Sequence, residues 1–397
     1  MKISNLYFLN FFIAFVLFSA PVISSLYNFS PGQNWYLIKD LAVVVMLLFA
    51  LSISTQALNA NILYLLIPVL IVSAYGVLFS DSNLFLQVAS LRQFLVPFEF
   101  VLIGYLVVRS QCDYLRLSYA TLLVVFVILI FGFFERFTYF WQLVPVEAFF
   151  TAKNIPVFVT GYPVFWIEPI SLLGFRPFDA GVPRMVSTVF DPINLGAIFV
   201  FAYTLLLFEG KAFFSSFFRK IYLVGLLVGI FLTFSKGAWL QLILTVFIFN
   251  TRVPLPWKIF VVLACSPFVY AFVLYHAGFE AHLIGFVEIF HHLTILGGGL
   301  GSFGNYTAMF SNSTVTGVGD SYWAAVMGQF GFLGFIIWFL TFLWIIARLG
   351  LTHYLSWLLM SQLLVSALSE NAFNFMSVFL LMIFVGGFLR LKDKKAV

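Results

Sequence analysis

The chain has 397 residues, of which 63 % are hydrophobic, 20 % aromatic and 9 % charged, with a formal net charge of +5 and a mean hydropathy of +1.08. No soluble core can hide that much apolar surface, so a water-soluble globular protein is excluded and lipid is the expected solvent. The positive balance fits an anionic inner leaflet better than nucleic acid, and Cys112 in an inner loop and Cys265 in a span suggest no disulfide.

Hydropathy predicts an all-α polytopic membrane protein, a single domain over 1–397 with about twelve transmembrane helices and both termini cytoplasmic. The first span, 6–26, follows Lys2 and has the length of a signal peptide, but the spans after it mark it as an uncleaved helix. Spans at 36–54, 60–79, 84–108 and 115–134 follow. Arg92 and Glu99 fall on one face of the fourth, where they can pair with each other or with a neighbouring helix. A first long outer connection, 135–185, mixes Tyr139, Trp141, Tyr162 and Trp166 with many prolines. It is expected to lie at headgroup depth as short amphipathic helices and turns.

The sixth span, 186–208, precedes a short pair, 220–234 and 238–250, separated only by Ser235, Lys236 and Gly237. At about 1.5 Å per residue such helices cover barely 20 Å, so their turn is expected below the outer surface, at the floor of a cavity. After a ninth span, 256–275, a second long outer connection runs over 276–320. Its Gly-rich part, Gly297 to Gly319, contains no Lys or Arg and reads as a flexible lid or a loop that approaches a sugar closely. His276, His282, His291 and His292 lie in this connection with Glu288, but without metal-ligand spacing. Spans at 321–347, 354–369 and 372–390 complete the chain. The last two pivot near Glu370 and Asn371, and Glu370 either lines the cavity and binds sugar or satisfies backbone groups there.

Most of the 20 Lys and Arg then fall in short cytoplasmic loops, as the positive-inside rule requires. Arg136, Lys153, Arg176, Arg184 and Lys236 break that rule on the outer face. Binding an anion is the simplest reason for cations to be there.

Three segments concentrate the chemistry. Pro183-Arg184-Met185-Val186-Ser187-Thr188-Val189-Phe190-Asp191-Pro192-Ile193-Asn194-Leu195-Gly196 puts Arg, Asp and Asn at the mouth of the sixth span. Phe234-Ser235-Lys236-Gly237-Ala238-Trp239-Leu240 puts a Lys in the sunken turn. Gly317-Val318-Gly319-Asp320-Ser321-Tyr322-Trp323 puts a carboxylate where the tenth span begins, ahead of Gly328, Gly331 and Gly334. Together these segments, within roughly 180–390, resemble the O-antigen polymerase and O-antigen ligase superfamily of the bacterial envelope. Its members carry an Arg before a Ser/Thr-x-Phe-x-x-Pro-x-Asn-x-x-Gly-like stretch, a Ser-Arg-Gly-x-x-Leu turn, and a polar residue opening a helix with Glu-x-Gly-x-x-Gly. Here Lys236 replaces the usual Arg, Gln329 stands where Glu is common, and Ile193-Asn194 replaces Pro-Asn.

The resemblance implies an integral-membrane glycosyltransferase of the type C kind at the periplasmic face of the bacterial inner membrane. It would join undecaprenyl diphosphate-linked repeat units, as donor and acceptor, into O-antigen or a related surface polysaccharide, alongside a chain-length regulator and a flippase of the same pathway. A ligase acting on lipid A-core would normally carry His at the position of Asp320, and the Asp favours the polymerase. A lipid-sugar transporter or flippase is the rival from another class; the lack of internal repeats and the charge gathered on one face speak against it.

The residue chemistry agrees with that implication. Glycan transfer from a lipid diphosphate needs cations for the departing diphosphate and a base for the acceptor hydroxyl. Arg184 and Lys236 supply the cations, with Arg176 beside them, and Asp320 the base. Asp191, Asn194, Ser235, Tyr322 and Glu370 complete the expected substrate-binding set, and no metal or cofactor is expected. Each residue also has a plainer role: Arg184 and Arg176 as headgroup anchors, Asp320 as a helix cap, Asp191 and Asn194 as capping or supporting groups.

Overall fold

A computed structural model of the chain describes residues 4–30, 35–54, 60–138, 144, 146–151, 157–159, 162–172, 175–263, 287, 290, 293–304 and 321–395. It is helical. In chain order the helices are α1 (Ser4–Phe29), α2 (Ile38–Ser54), α3 (Ala60–Leu78), α4 (Leu84–Val107), α5 (Gln111–Thr138), α6 (Val146–Thr151), α7 (Pro192–Phe208), α8 (Ser216–Leu232), α9 (Lys236–Ile243), α10 (Tyr322–Leu349), α11 (Tyr354–Ser366) and α12 (Phe375–Lys395). Helices occupy the expected span positions except for most of the ninth, 256–275, which lies largely outside the described residues.

Among the described residues five helices are long and apolar enough to cross a membrane, namely α1, α4, α5, α10 and α12, and shorter apolar helices accompany them. Large side chains such as Phe11 of α1, Leu41 of α2 and Val224 of α8 stay outward-facing. An apolar exterior over a backbone whose hydrogen bonds close within each helix is what a lipid solvent selects. The protein is therefore a helical membrane protein.

The connection between α5 and α7 departs from expectation. The sequence predicts short helices and turns there, but beyond α6 it forms two antiparallel hairpins, β1 (Phe158–Val159) with β2 (Tyr162–Pro163) and β3 (Ile167–Leu172) with β4 (Phe175–Pro183). Alternation of residues such as Ile167, Ile170 and Leu172 is too short and too broken by proline to read as a strand without its partner. The sixth span also starts later than predicted. Residues 186–191 form a 3₁₀ turn and an extended step, and α7 begins at Pro192, whose fixed φ suits the first helical position.

Contacts divide the chain into two compact units, one of Met1–Thr55, Ile103–Trp239 and Gly386–Val397, the other of Gln56–Leu102 and Leu240–Val385. In the first, an aromatic core gathers Tyr27 of α1, Phe149 and Phe150 of α6, and Tyr162, Trp166 and Phe190 of the connection. Hydrogen bonds tie it down: Trp166 Nε1 donates to Phe190 O at 3.2 Å, Ser187 Oγ to Ile128 O at 2.8 Å and Thr188 Oγ to Leu17 O at 2.9 Å. Buried polar groups paired in this way fix one packing, because leaving them unpaired in an apolar medium is costly.

In the second unit α10 is broken at Gly331, whose φ of 67° is open to glycine at little cost. The break exposes backbone groups, and the Gly-rich segment satisfies them. Gly298 N donates to Gly328 O at 2.8 Å and Gly299 N to Gln329 O at 2.9 Å, while Phe332 N donates to Thr294 O at 3.0 Å and Leu333 N to Ile295 O at 3.2 Å. Residues 294–300 are thus docked backbone-to-backbone on α10, which fixes the first part of the Gly-rich segment. Most of the segment expected as a lid or a sugar-approaching loop, 305–319, lies outside the described residues. Elsewhere in this unit α9 runs into a π-turn at Leu244–Ile248, where Thr245 and Ser361 hydroxyls meet at 2.7 Å and Gln241 donates to Gln362. Such interhelical pairs hold apolar helices in register where hydrophobicity alone cannot.

Candidate functional site

Three segments of the first unit converge on one carboxylate. Arg184 follows directly on β4, Lys236 opens α9, and Glu168 projects from β3. Hairpin register brings Glu168 opposite Val182, two residues from Arg184. Lys236 Nζ lies 2.8 Å from Glu168 Oε1, and Arg184 Nη1 lies 3.7 Å from Glu168 Oε2. The exposures of Arg184, Glu168 and Lys236 are 9 %, 15 % and 45 %, so the cluster is closed at Arg184 and open at Lys236.

Arg184 is held by backbone. Its Nε donates to Thr233 O at 2.7 Å, with weaker contacts at 3.4 Å from Nη1 to Phe165 O and from Nη2 to Phe234 O. Thr233 caps the C-terminus of α8, where orphan carbonyls and the negative end of the helix dipole favour a cation. Burial pushes the guanidinium pKa down, and the charges of Glu168 and Asp191 oppose that shift. One edge of Arg184 thus serves the fold, while its terminal nitrogens are only lightly engaged.

Lys236 is the more exposed of the two cations. It stands in the first turn of α9, where the dipole disfavours a positive charge by about 0.3–1 kcal/mol. Ser235, expected to bind substrate, is buried and caps this helix: its Oγ accepts from Ala238 N at 3.3 Å. Asp191 and Asn194 likewise build the start of α7. Asp191 Oδ1 accepts from Ile193 N at 2.8 Å and Asn194 N at 3.2 Å, and Oδ2 from Asn194 Nδ2 at 2.6 Å. Gly196 explains the end of its motif, because a Cβ there would lie 2.7 Å from Ala238 Cβ and 3.0 Å from Ser235 Cβ. Only hydrogen at that position lets α7 approach the turn that carries Lys236.

Strain is gathered at the same place. Among the described residues the non-glycine positions with positive φ are Ser187 at 48°, Phe190 at 58° and Phe234 at 48°. Ser187 and Phe190 lie between Arg184 and Asp191, and Phe234 lies between Thr233 and Ser235. Each costs of order 1–2 kcal/mol and persists only where the surroundings over-determine it, as they do at functional sites.

Two carboxylates here escaped sequence reasoning. Glu168 is one acid among several in the connection 135–185, and nothing in Trp166-Ile167-Glu168-Pro169 announces a cation partner. Glu135, near the end of α5, is 2 % exposed. It accepts the N–H groups of Val186 and Ser187, and its Oε2 has no hydrogen-bond partner among the described residues. It clamps the strained turn that follows Arg184. A glutamate set in the otherwise apolar run Phe133-Phe134-Glu135 was the available hint.

The remaining expected residues are placed as follows. Arg176 lies on β4. Tyr322 and Glu370 belong to the second unit and share a neighbour: Tyr322 Oη donates to Gln93 O at 3.3 Å, and Gln93 Nε2 donates to Glu370 Oε1 at 3.2 Å. Both are buried, and Tyr322 stacks on Phe373 at 5.1 Å. Gln329 donates from Nε2 to Phe303 O at 2.7 Å and so fastens the Gly-rich segment. Asp320, the expected base, and the four histidines of 276–320 lie outside the described residues.

No family profile matches the chain, and no curated protein matches it.

Proposed function

We propose that the protein is an integral-membrane glycosyltransferase that polymerises undecaprenyl diphosphate-linked repeat units at the periplasmic face of the bacterial inner membrane. The observation that carries this reading is the meeting of Arg184 and Lys236, far apart in sequence, on one partly exposed anionic group. Two cations that accept a carboxylate between them suit a diphosphate, Arg as a fork and Lys as a point charge. Strained backbone on both sides of the cluster supports a site selected for function over stability.

In this reading the acceptor hydroxyl oxygen attacks the anomeric carbon of the donor glycan. The bond from that carbon to the diphosphate oxygen breaks and its electron pair stays on the diphosphate. Arg184 and Lys236 take up the charge that develops there, and a carboxylate base takes the hydroxyl proton. Lipid-facing helices hold both polyprenyl tails in the bilayer.

The test is direct. Purified protein in proteoliposomes, given lipid-linked repeat unit in buffer with a chelator, is expected to yield a ladder of lengthened glycans. Unreacted substrate moved across the bilayer would identify a flippase, transfer to lipid A-core alone would identify a ligase, and either result overturns the polymerase.

A further inference from the structure

Glu168 stands where an anionic ligand of these cations would stand. It is the group that Arg184 and Lys236 share, yet the two contacts are unequal, 2.8 Å to Lys236 and 3.7 Å to Arg184. The Arg184 guanidinium is oriented through Nε by Thr233 O at 2.7 Å, and its terminal nitrogens make contacts of 3.4 Å to carbonyls. Its fork is therefore aimed by the backbone and not closed by the carboxylate. A well-matched carboxylate partner of Arg accepts two short, parallel bonds; Glu168 does not.

The strand under Glu168 is built to give way. Pairing with β4 shifts register between Glu168 and Ile170, and the intervening Pro169 has no N–H to give a ladder. A carboxylate beside a bulge can leave its partners while Ile167 and Glu168 keep their backbone pairing with Pro183 and Val182.

Resting on the glycosyltransferase reading, we propose that Glu168 is a resident occupant of the diphosphate site, displaced when the lipid diphosphate binds. Arg184 and Lys236 contribute two positive charges, which Glu168 between them and Asp191 near Arg184 offset. A diphosphate brings more charge and more acceptor oxygens than one carboxylate and completes the Arg184 fork. The exchange keeps a largely buried arginine compensated while the site is empty and sets a threshold that rejects singly charged anions. Substrate class follows: a diphosphate ester is admitted, while a carboxylate or a monoanionic phosphodiester is not.

The experiment uses the full-length protein in detergent and inorganic pyrophosphate as probe, read by calorimetry. Glu168→Gln, which keeps the shape of the side chain and removes its charge, is expected to bind pyrophosphate at least tenfold more tightly than wild type. Lys236→Gln is expected to bind it at least tenfold more weakly. Affinity equal to or below wild type in Glu168→Gln, with Lys236→Gln still weakened, overturns displacement while leaving the diphosphate site standing. Absence of pyrophosphate binding in folded wild type overturns both. A measurement on wild type alone guards against a variant that fails to fold. Labelling of Glu168 by an isoxazolium carboxylate reagent, located by mass spectrometry, is expected to rise at saturating pyrophosphate and stay unchanged in acetate. Protection of Glu168 by pyrophosphate would overturn the proposal.

Discussion

Replacing Lys236 and Arg184 by Ala one at a time separates what this cluster does for the fold from what it does for an anion. Lys236 is 45 % exposed and pairs with Glu168 at 2.8 Å. Half-exposed pairs are screened and contribute about 0–1 kcal/mol, and removing a cation from the first turn of α9 returns part of that through the dipole. Lys236→Ala is therefore expected to unfold within about 1 kcal/mol of wild type. Arg184 differs: it is 9 % exposed and donates to Thr233 O at 2.7 Å. Its loss strands a carbonyl at the end of α8 and leaves Glu168 with one cation fewer, at a cost of about 3 kcal/mol. On the proposed mechanism both variants are expected to lose polymerisation by about 10²-fold or more, since each then lacks a group that stabilises leaving-group charge. Thermal unfolding in detergent reads the first quantity and the initial rate of ladder formation in proteoliposomes the second. A Lys236→Ala protein that makes wild-type ladders at the wild-type rate would refute the assignment. A loss of stability in that variant as large as in Arg184→Ala would show that Lys236 is structural.

Asp320→Asn is expected to lower turnover by about 10²-fold with little change in substrate affinity if Asp320 is the base; wild-type turnover would remove it from that role, the cap of α10 being Ser321, whose Oγ accepts from Ala324 N at 3.2 Å. Gly331→Ala places a Cβ against the backbone of Ile295 and Gly297 at a φ of 67°, so it is expected to cost about 2 kcal/mol or more. Amide exchange at residues 297–300 should rise with it, and unchanged protection would show that the segment is held by other means. Asp191→Ala removes the acceptor of Ile193 N and Asn194 N and should destabilise by about 1–2 kcal/mol, whereas Asp191→Ser should recover most of that; equal melting of the two variants would rule out the capping role.

Much of the scaffold was legible because it is local chemistry. Runs of apolar residues long enough to cross lipid, ended by Lys, Arg, Pro and Gly, are helices wherever they occur, since closing hydrogen bonds within the segment is the option lipid leaves open. The placements of α1, α4, α5, α10 and α12 followed from that alone. Arg184 and Lys236 also stand out one at a time in the sequence, as cations that the expected topology puts where the loop charge rule does not ask for them. Asp191 could be named as a cap from its place before Pro192.

Partnership was not legible. Which carboxylate meets Arg184 and Lys236 depends on the register of β3 with β4 and on the turn between α8 and α9, contacts between segments distant along the chain that composition and periodicity do not encode. Glu168 entered the site through that register. The role of Glu135 depends on a strained turn packing over the end of α5, and the firmness of the Gly-rich segment depends on a break in α10 whose freed backbone groups it satisfies. Apolar run length and charge placement determined the helices and singled out the cations, because each is a property of one segment and its solvent. Tertiary structure alone decided what the cations touch, because an ion pair belongs to two segments at once.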